Sequence, residues 1–207
     1  MSTAYGVKLI ELAKKEGIKV TAEVAPHHLC FSESMIENEK DADKKMNPPL
    51  RSEEDIHALI HGLNTGIIDC IATDHAPHHA DEKKKGILKA PFGITGLETA
   101  LPLLYEYLIS KNKSTFYRII EALTKKPAEI LGLDFYPIST KNPLNFVIFN
   151  VEKSSRLDKD FFYSKSINFP LFGKNLKGFV EYVFYEKYLY DFTVSPYQKT
   201  CLTGDES

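Results

Sequence analysis

Cysteine is scarce in this sequence and long apolar runs are missing, and each lack closes off a class of protein. The three cysteines, Cys30, Cys70 and Cys201, are few and odd in number, which does not suit a disulfide framework. Cys30 and Cys70 lie within or beside apolar runs and read as reduced core thiols of a cytoplasmic protein. No stretch approaches the roughly 20 apolar residues of a membrane helix, so no membrane partner is expected. The opening "MSTAYGVKLIELAKKEG" has no unbroken apolar core or cleavage site. Its Val7, Ile10 and Ala13 recur at helical spacing with lysines between them, which argues against a signal peptide. Positive charge is not concentrated either: 26 Lys and Arg face 28 Asp and Glu, for a net charge of −2. Nucleic-acid partners are therefore not expected, since phosphate binding needs clustered Lys and Arg. A G-x-S-x-G elbow, a P-loop and a dinucleotide fingerprint are all absent.

What is present is the composition of a soluble globular protein, 43% hydrophobic and 26% charged over 207 residues. That length fits one large domain, or one domain with an appendage. The first two thirds alternate helix and strand signals. Tyr5 to Glu16 reads as a helix stopped by Gly17, and Ile18 to Ala25 is a β-branched run ending at Pro26. Ser52 can cap a helix whose acidic first turn, Glu53 to Asp55, precedes a stripe of Ile56, Leu59, Ile60 and Leu63. After Gly66, "IIDCIAT" is short and apolar enough for a strand buried on both faces. Thr95 and Glu98 resemble a capping box before a leucine-rich helix that Pro102 should kink. Ser114 is expected to open a further helix, and "KKPAEILGL" a short one with Pro127 near its start and Gly132 at its stop. This alternation predicts an α/β fold, a parallel sheet or barrel.

Beyond about Asp134 the texture changes. "NPLNFVIFNVE" and "GFVEYVFYEKYLYDF" are rich in Phe, Tyr and Val around a turn-like segment, which predicts a small antiparallel β unit. The division expected is 1–134, 135–195 and a loose tail at 196–207. Lys83 to Lys85 reads as a solvated loop.

Two places share one chemical pattern. The run Ile18–Ala25 ends in "PHHL", which puts His27 and His28 just past it, and Ile67–Thr73 ends in "DHAPH", which puts Asp74 just past it. In parallel α/β barrels, reactive groups sit beyond the C-terminal ends of strands. An imidazole and a carboxylate from two neighbouring strands are donors that zinc accepts. His and Asp are also common in turns, and spacing alone leaves both readings open. In "KMNPPLR", Asn47 is held extended by Pro48 and offers a donor and an acceptor suited to an amide or imide. The plain alternative is a loop that introduces the helix at Ser52. "KAPFGITGLE" carries two glycines near a helix entry, where backbone N–H groups can meet a ligand.

In order, "TAEVAPHHL", "MNPPLR", "DCIATDHAPH" and "FGITGLETALPLL" together closely resemble dihydroorotase of the bacterial type I kind, in the amidohydrolase superfamily. "STAYGVKLIELAKKEG" and "KKPAEILGL" are similar to that family as well. In the β segment, Asn145 of "NPLNFVIFN" departs from the family's Asp-containing strand. The resemblance implies the C-terminal part of a (β/α)8 barrel, with strands six to eight and one or two zinc ions at the strand ends. The reaction implied is the reversible cyclisation of N-carbamoyl-aspartate to dihydroorotate in pyrimidine biosynthesis. His27 is then a metal ligand on strand six, and Asp74 both a metal ligand and the acid–base group on strand eight. Asn47 and His78 contact substrate, helped by the backbone of Phe92 and Gly93. His28, His75 and His79 match no assigned role and are treated as supporting groups. Zinc makes hydroxide available near neutrality to attack the ring amide, and Asp74 can pass its proton to the leaving nitrogen.

The family's first barrel half carries a His-x-His pair, a substrate-clamping arginine, a carboxylate or carboxylated lysine, and a His on strand five. Met1 aligns just after that last His, so the chain as given is expected to be an incomplete and inactive fragment. Cut sheet edges favour self-association, making a homodimer one partner to consider. Two other readings stand beside this one: a sister allantoinase or hydantoinase, and a non-catalytic subunit bracing aspartate carbamoyltransferase. The pairing of "PHH" with "NPPLR" and "TDHAPH" favours dihydroorotase.

Overall fold

The computed structural model describes residues 1–202. In chain order the elements are helix α1 (Ala4–Lys15), strand β1 (Glu23–Val24), α2 (Pro26–Cys30), α3 (Glu53–Thr65), β2 (Cys70–Ile71) and α4 (Ala80–Lys83). They continue with α5 (Ala100–Leu104), a π-helical turn at Tyr105–Ile109, α6 (Phe116–Leu123) and α7 (Lys125–Leu131). Strands β3 (Leu144–Arg156), β4 (Asn175–Glu186), β5 (Tyr188–Asp191) and β6 (Gln198–Cys201) close the chain. The fold is α/β, as the sequence predicts.

β1 and β2 pair in parallel, with Glu23 opposite Cys70 and Val24 opposite Ile71. Polar groups fix that register from the strand starts. Asp69 N–H donates to Ala22 O at 2.9 Å, and its carboxylate accepts Ala22 N–H at 2.8 Å. Lys14 of α1 adds an ion pair to the same carboxylate at 2.8 Å. Arg118 of α6 donates to the carbonyls of Leu63, Ile68 and Asp69, satisfying the turn that leads into β2. Such backbone carbonyls need partners once helices cover the sheet.

α3 forms where its sequence signals place it. Ser52 Oγ accepts Asp55 N–H, Gly66 ends the helix in the left-handed conformation, and Ile56, Leu59, Ile60 and Leu63 are buried. They pack with Val7, Val24, Leu29, Ile68, Ile71, Leu104, Leu108 and Ile119 in one core. A second core joins Phe31, Met46, Leu50, Ile94 and Leu103 to Leu157, Phe162, Phe169 and Leu176. The β3–β6 unit thus shares its interior with the helical part.

Several sequence expectations are corrected here. Among the described residues the expected strands six to eight reduce to two short parallel strands, with isolated bridges at Ser32–Arg51 and His75–Ile94. Thr95 and Glu98 make no capping box. α5 begins at Ala100, Glu98 accepts the N–H groups of Tyr163 and Ser164, and Pro102 sits in the first turn, where its missing N–H costs nothing. Thr115, not Ser114, caps α6, while Ser114 donates to Asn64 Oδ1. Lys83 is buried and donates to the carbonyls of Ala42 and Pro91, so it is no part of a solvated loop. The tail expected to be loose supplies β6, paired antiparallel with β5; residues 203–207 lie outside the described residues. The order β3-β4-β5-β6 is antiparallel throughout, as expected for this segment. No helix among the described residues is long and apolar enough to cross a membrane.

Asp69 holds both the register and α1. Asp69→Asn should therefore lower stability by about 1–3 kcal/mol, the usual cost of losing charged hydrogen bonds. Urea unfolding checks this, and a midpoint equal to the parent's would contradict it.

Candidate active site

The two register partners Val24 and Ile71 each lead, three residues later, to one of the predicted metal ligands: Val24 to His27 and Ile71 to Asp74. Both residues therefore leave the same end of the parallel pair. Their surroundings are opposite in character.

His27 lies in α2 and is only 2% exposed, with a buried Nε2 that has no hydrogen-bond partner among the described residues. Burial first, then the His28 ring at 4.3 Å between centroids and the N-terminal ammonium, hold its pKa down at about 3. The imidazole is thus neutral at physiological pH, with a nitrogen unused by the protein. His28 is buried as well. Its Nε2 donates to Pro48 O at 2.9 Å, leaving a buried Nδ1 without a partner. Burial lowers its pKa, against the opposing pull of that carbonyl and of the Asp74 charge.

Asp74 is exposed, and its backbone is left-handed, with φ 51°. Asp tolerates that region better than most residues, and such outliers concentrate at functional sites. Asn47 is also exposed, one residue before the carbonyl that takes His28 Nε2–H.

His78, Phe92 and Gly93 form a single unit. His78 Nε2 donates to Phe92 O at 2.8 Å, and Gly93 N–H donates to Lys45 O at 2.9 Å. The Lys45 ammonium lies 4.6 Å from the Phe92 ring centroid. Gly93 has φ 115°, and a Cβ there would run into the Ala76 side chain, so only glycine fits. The Gly93 N–H is already committed to Lys45. Of the two backbone donors predicted to help substrate, Phe92 N–H is the one still open among the described residues.

The remaining histidines serve the loops. His75 Nδ1 accepts the N–H groups of Gly96 and Leu97, and His79 Nδ1 caps α4 at Asp81. Asn168, from the β3–β4 connection, went unnoticed in the sequence although it bonds both His78 N–H and Gly93 O. No local signal marks it, since its partners lie far away along the chain. Among the described residues, no group of three or more His, Cys, Asp or Glu is placed to hold a metal ion.

No protein-family model matches the chain. It is 48% identical to a dihydroorotase of Geobacillus sp. over 178 residues, 86% of this chain and 42% of that protein. A dihydroorotase of Bacillus cytotoxicus is also 48% identical, with 41% of its length covered. The matched region is the C-terminal part of these relatives, so the chain spans about two fifths of their length. Among solved structures, the L-hydantoinase (dihydropyrimidinase) from Arthrobacter aurescens has a TM-score of 0.78 at 27% identity, over 89% of this chain and 42% of that one. The dihydropyrimidinase from Brevibacillus agri, at 21% identity and a TM-score of 0.79, covers the same shares and is similar in fold.

The neutral burial of His27 has a pH signature in chelator-treated protein. As pH falls below about 6.5 the unfolded chain takes up the proton first, so stability should drop until about pH 3. Between pH 7 and 5 this one group removes on the order of 2 kcal/mol. Urea unfolding of parent and His27→Gln at both pH values checks it, and equal pH dependence in the two proteins would refute it.

Proposed function

We propose that this chain, similar over most of its length to the C-terminal part of dihydroorotases, is part of a cyclic amide hydrolase of that family. From that premise we propose that it supplies half of an active site for the zinc-dependent, reversible cyclisation of N-carbamoyl-L-aspartate to dihydroorotate. One observation carries the proposal: His27 and Asp74 follow register partners on two parallel strands and so leave the same sheet end. In this reading residues 1–134 are the last strands and helices of a (β/α)8 barrel in a cytoplasmic enzyme.

The donor chemistry fits a metal. His27 is neutral, buried and has an unpartnered Nε2, and Asp74 brings a carboxylate that accepts no hydrogen bond from the described residues. When bound, zinc supplies Lewis acidity to water and to the amide carbonyl. Asp74 carries the proton from the attacking water to the leaving ring nitrogen in hydrolysis, and reverses that transfer in ring closure. Its exposure lets it reach solvent-delivered reactants. Asn47 offers a donor and an acceptor that match the ring's own amide and imide groups. His78 and the open Phe92 N–H contact the substrate beside it. Holding these groups in place contributes through positioning, which can amount to several kcal/mol of barrier.

His27 and Asp74 are two ligands, and zinc catalysis takes about three protein ligands plus an open position. Residues 1–207 alone should therefore show no turnover with added zinc. With the preceding part of the barrel supplied, dihydroorotate hydrolysis is expected, and His27→Ala should lower zinc content and activity together. Asp74→Ala should cut kcat by about a hundredfold or more, the scale of a lost acid–base group. Zinc stoichiometry indifferent to both substitutions would sink the assignment. The structural likeness to an L-hydantoinase favours one second reading, a sister cyclic amidohydrolase. Turnover of hydantoin or dihydropyrimidine in place of dihydroorotate would select it.

A further inference from the structure

We infer that Asn168 is a positioning residue, through which the β3–β4 connection sets the spacing between His78 and Gly93. The inference rests on the reading of those residues as the substrate-contacting edge. Asn168 is 1% exposed, and both ends of its side-chain amide are engaged. Oδ1 accepts the His78 backbone N–H at 2.9 Å, and Nδ2 donates to Gly93 O at 2.9 Å. The two partners have opposite polarity, so the amide fits in one orientation only. An all-acceptor carboxylate satisfies one partner and opposes the other. An apolar side chain leaves two buried backbone groups unpaired.

The Asn168 backbone is itself locked. Asn168 N–H donates to Thr95 Oγ1 at 3.2 Å, Asn168 O accepts Thr95 N–H at 3.0 Å, and Thr95 Oγ1 donates to Ser166 O at 3.0 Å. Thr95 is fully buried, at 0% exposure. His78 is thus gripped twice: its backbone by Asn168, and its ring by Phe92 O, one residue before Gly93. Three hydrogen bonds and the Phe92–Gly93 peptide link join Asn168, His78, Phe92 and Gly93 in one ring. Moving Asn168 changes the distance between the Phe92 N–H and the His78 ring, the two groups assigned to substrate. Asp74 and His27 are not part of this ring. The metal and the proton transfer should therefore be little affected.

Two measurements test this. In zinc-loaded protein carrying the rest of the barrel, Asn168→Ala should raise KM for dihydroorotate about tenfold or more, with kcat and zinc content within about threefold of the parent. Asn168→Asp keeps the acceptor for His78 but turns an oxygen towards Gly93 O, so its KM should fall between the two. In residues 1–207 alone, amide hydrogen exchange at His78 should quicken about tenfold or more in Asn168→Ala and stay slow in Asn168→Asp. A KM within twofold of the parent in Asn168→Ala overturns the inference. So does a loss spread equally over KM, kcat and zinc, or a His78 amide as protected in Asn168→Ala as in the parent. A parent without dihydroorotate turnover would count against the proposed function instead, and the exchange result alone would then decide the role of Asn168.

Discussion

The parallel pairing of β1 with β2 is the constraint on which the site depends. It is short, two residues on each strand, and so cannot hold its register by ladder bonds alone. Side chains from outside the ladder supply the rest: the Asp69 carboxylate on Ala22 N–H, Lys14 from α1, and the Arg118 guanidinium on the carbonyls of Leu63, Ile68 and Asp69. A slip of one residue would turn each strand's side chains to the other face. It would also carry His27 and Asp74 out of step. Helix residues beneath, from Ile56 to Leu63 and from Leu104 to Ile119, share one buried core with Val24 and Ile71 of the paired strands.

The same constraint explains the unequal surroundings of the two residues. α2 begins directly after β1 and drives His27 into the core, where a neutral ring with an unused nitrogen is the low-energy form. β2 is followed by no helix until Ala80, and the chain turns through a left-handed residue at Asp74, which stays in contact with solvent. A soft, dry nitrogen donor and a wet carboxylate are complementary. The first suits holding an ion, the second suits moving protons. The proposed substrate edge is assembled separately, by loops tied to one another through Lys45, His78, Gly93 and Asn168.

What could be read from the sequence was what local physics decides. α3 was legible because its cap, acidic first turn, apolar stripe and terminal glycine all lie within one stretch. The antiparallel unit was legible from its β-branched and aromatic runs, and the parallel pairing from the alternation of elements. Strand lengths were overread: a β-branched run signals extended backbone, whereas a ladder needs a neighbour at every residue. Lys83 was misread because lysine is usually solvated, and nothing nearby in sequence announces its carbonyl partners in two other loops. Asn168 was invisible for the same reason, its side-chain partners being 90 and 75 residues away. Thr95 and Glu98 had the spacing of a cap, yet tertiary partners in the β3–β4 connection claimed both side chains.

The central claim is that the paired strands bring His27 and Asp74 to one ion. The most direct measurement is an anomalous-scattering map at the zinc edge, from crystals of the protein with the rest of its barrel. The account predicts a peak within ligand distance, about 2.0–2.2 Å, of both a His27 ring nitrogen and an Asp74 carboxylate oxygen. A zinc peak that touches neither residue, with His27 Nε2 still unpartnered, would contradict it.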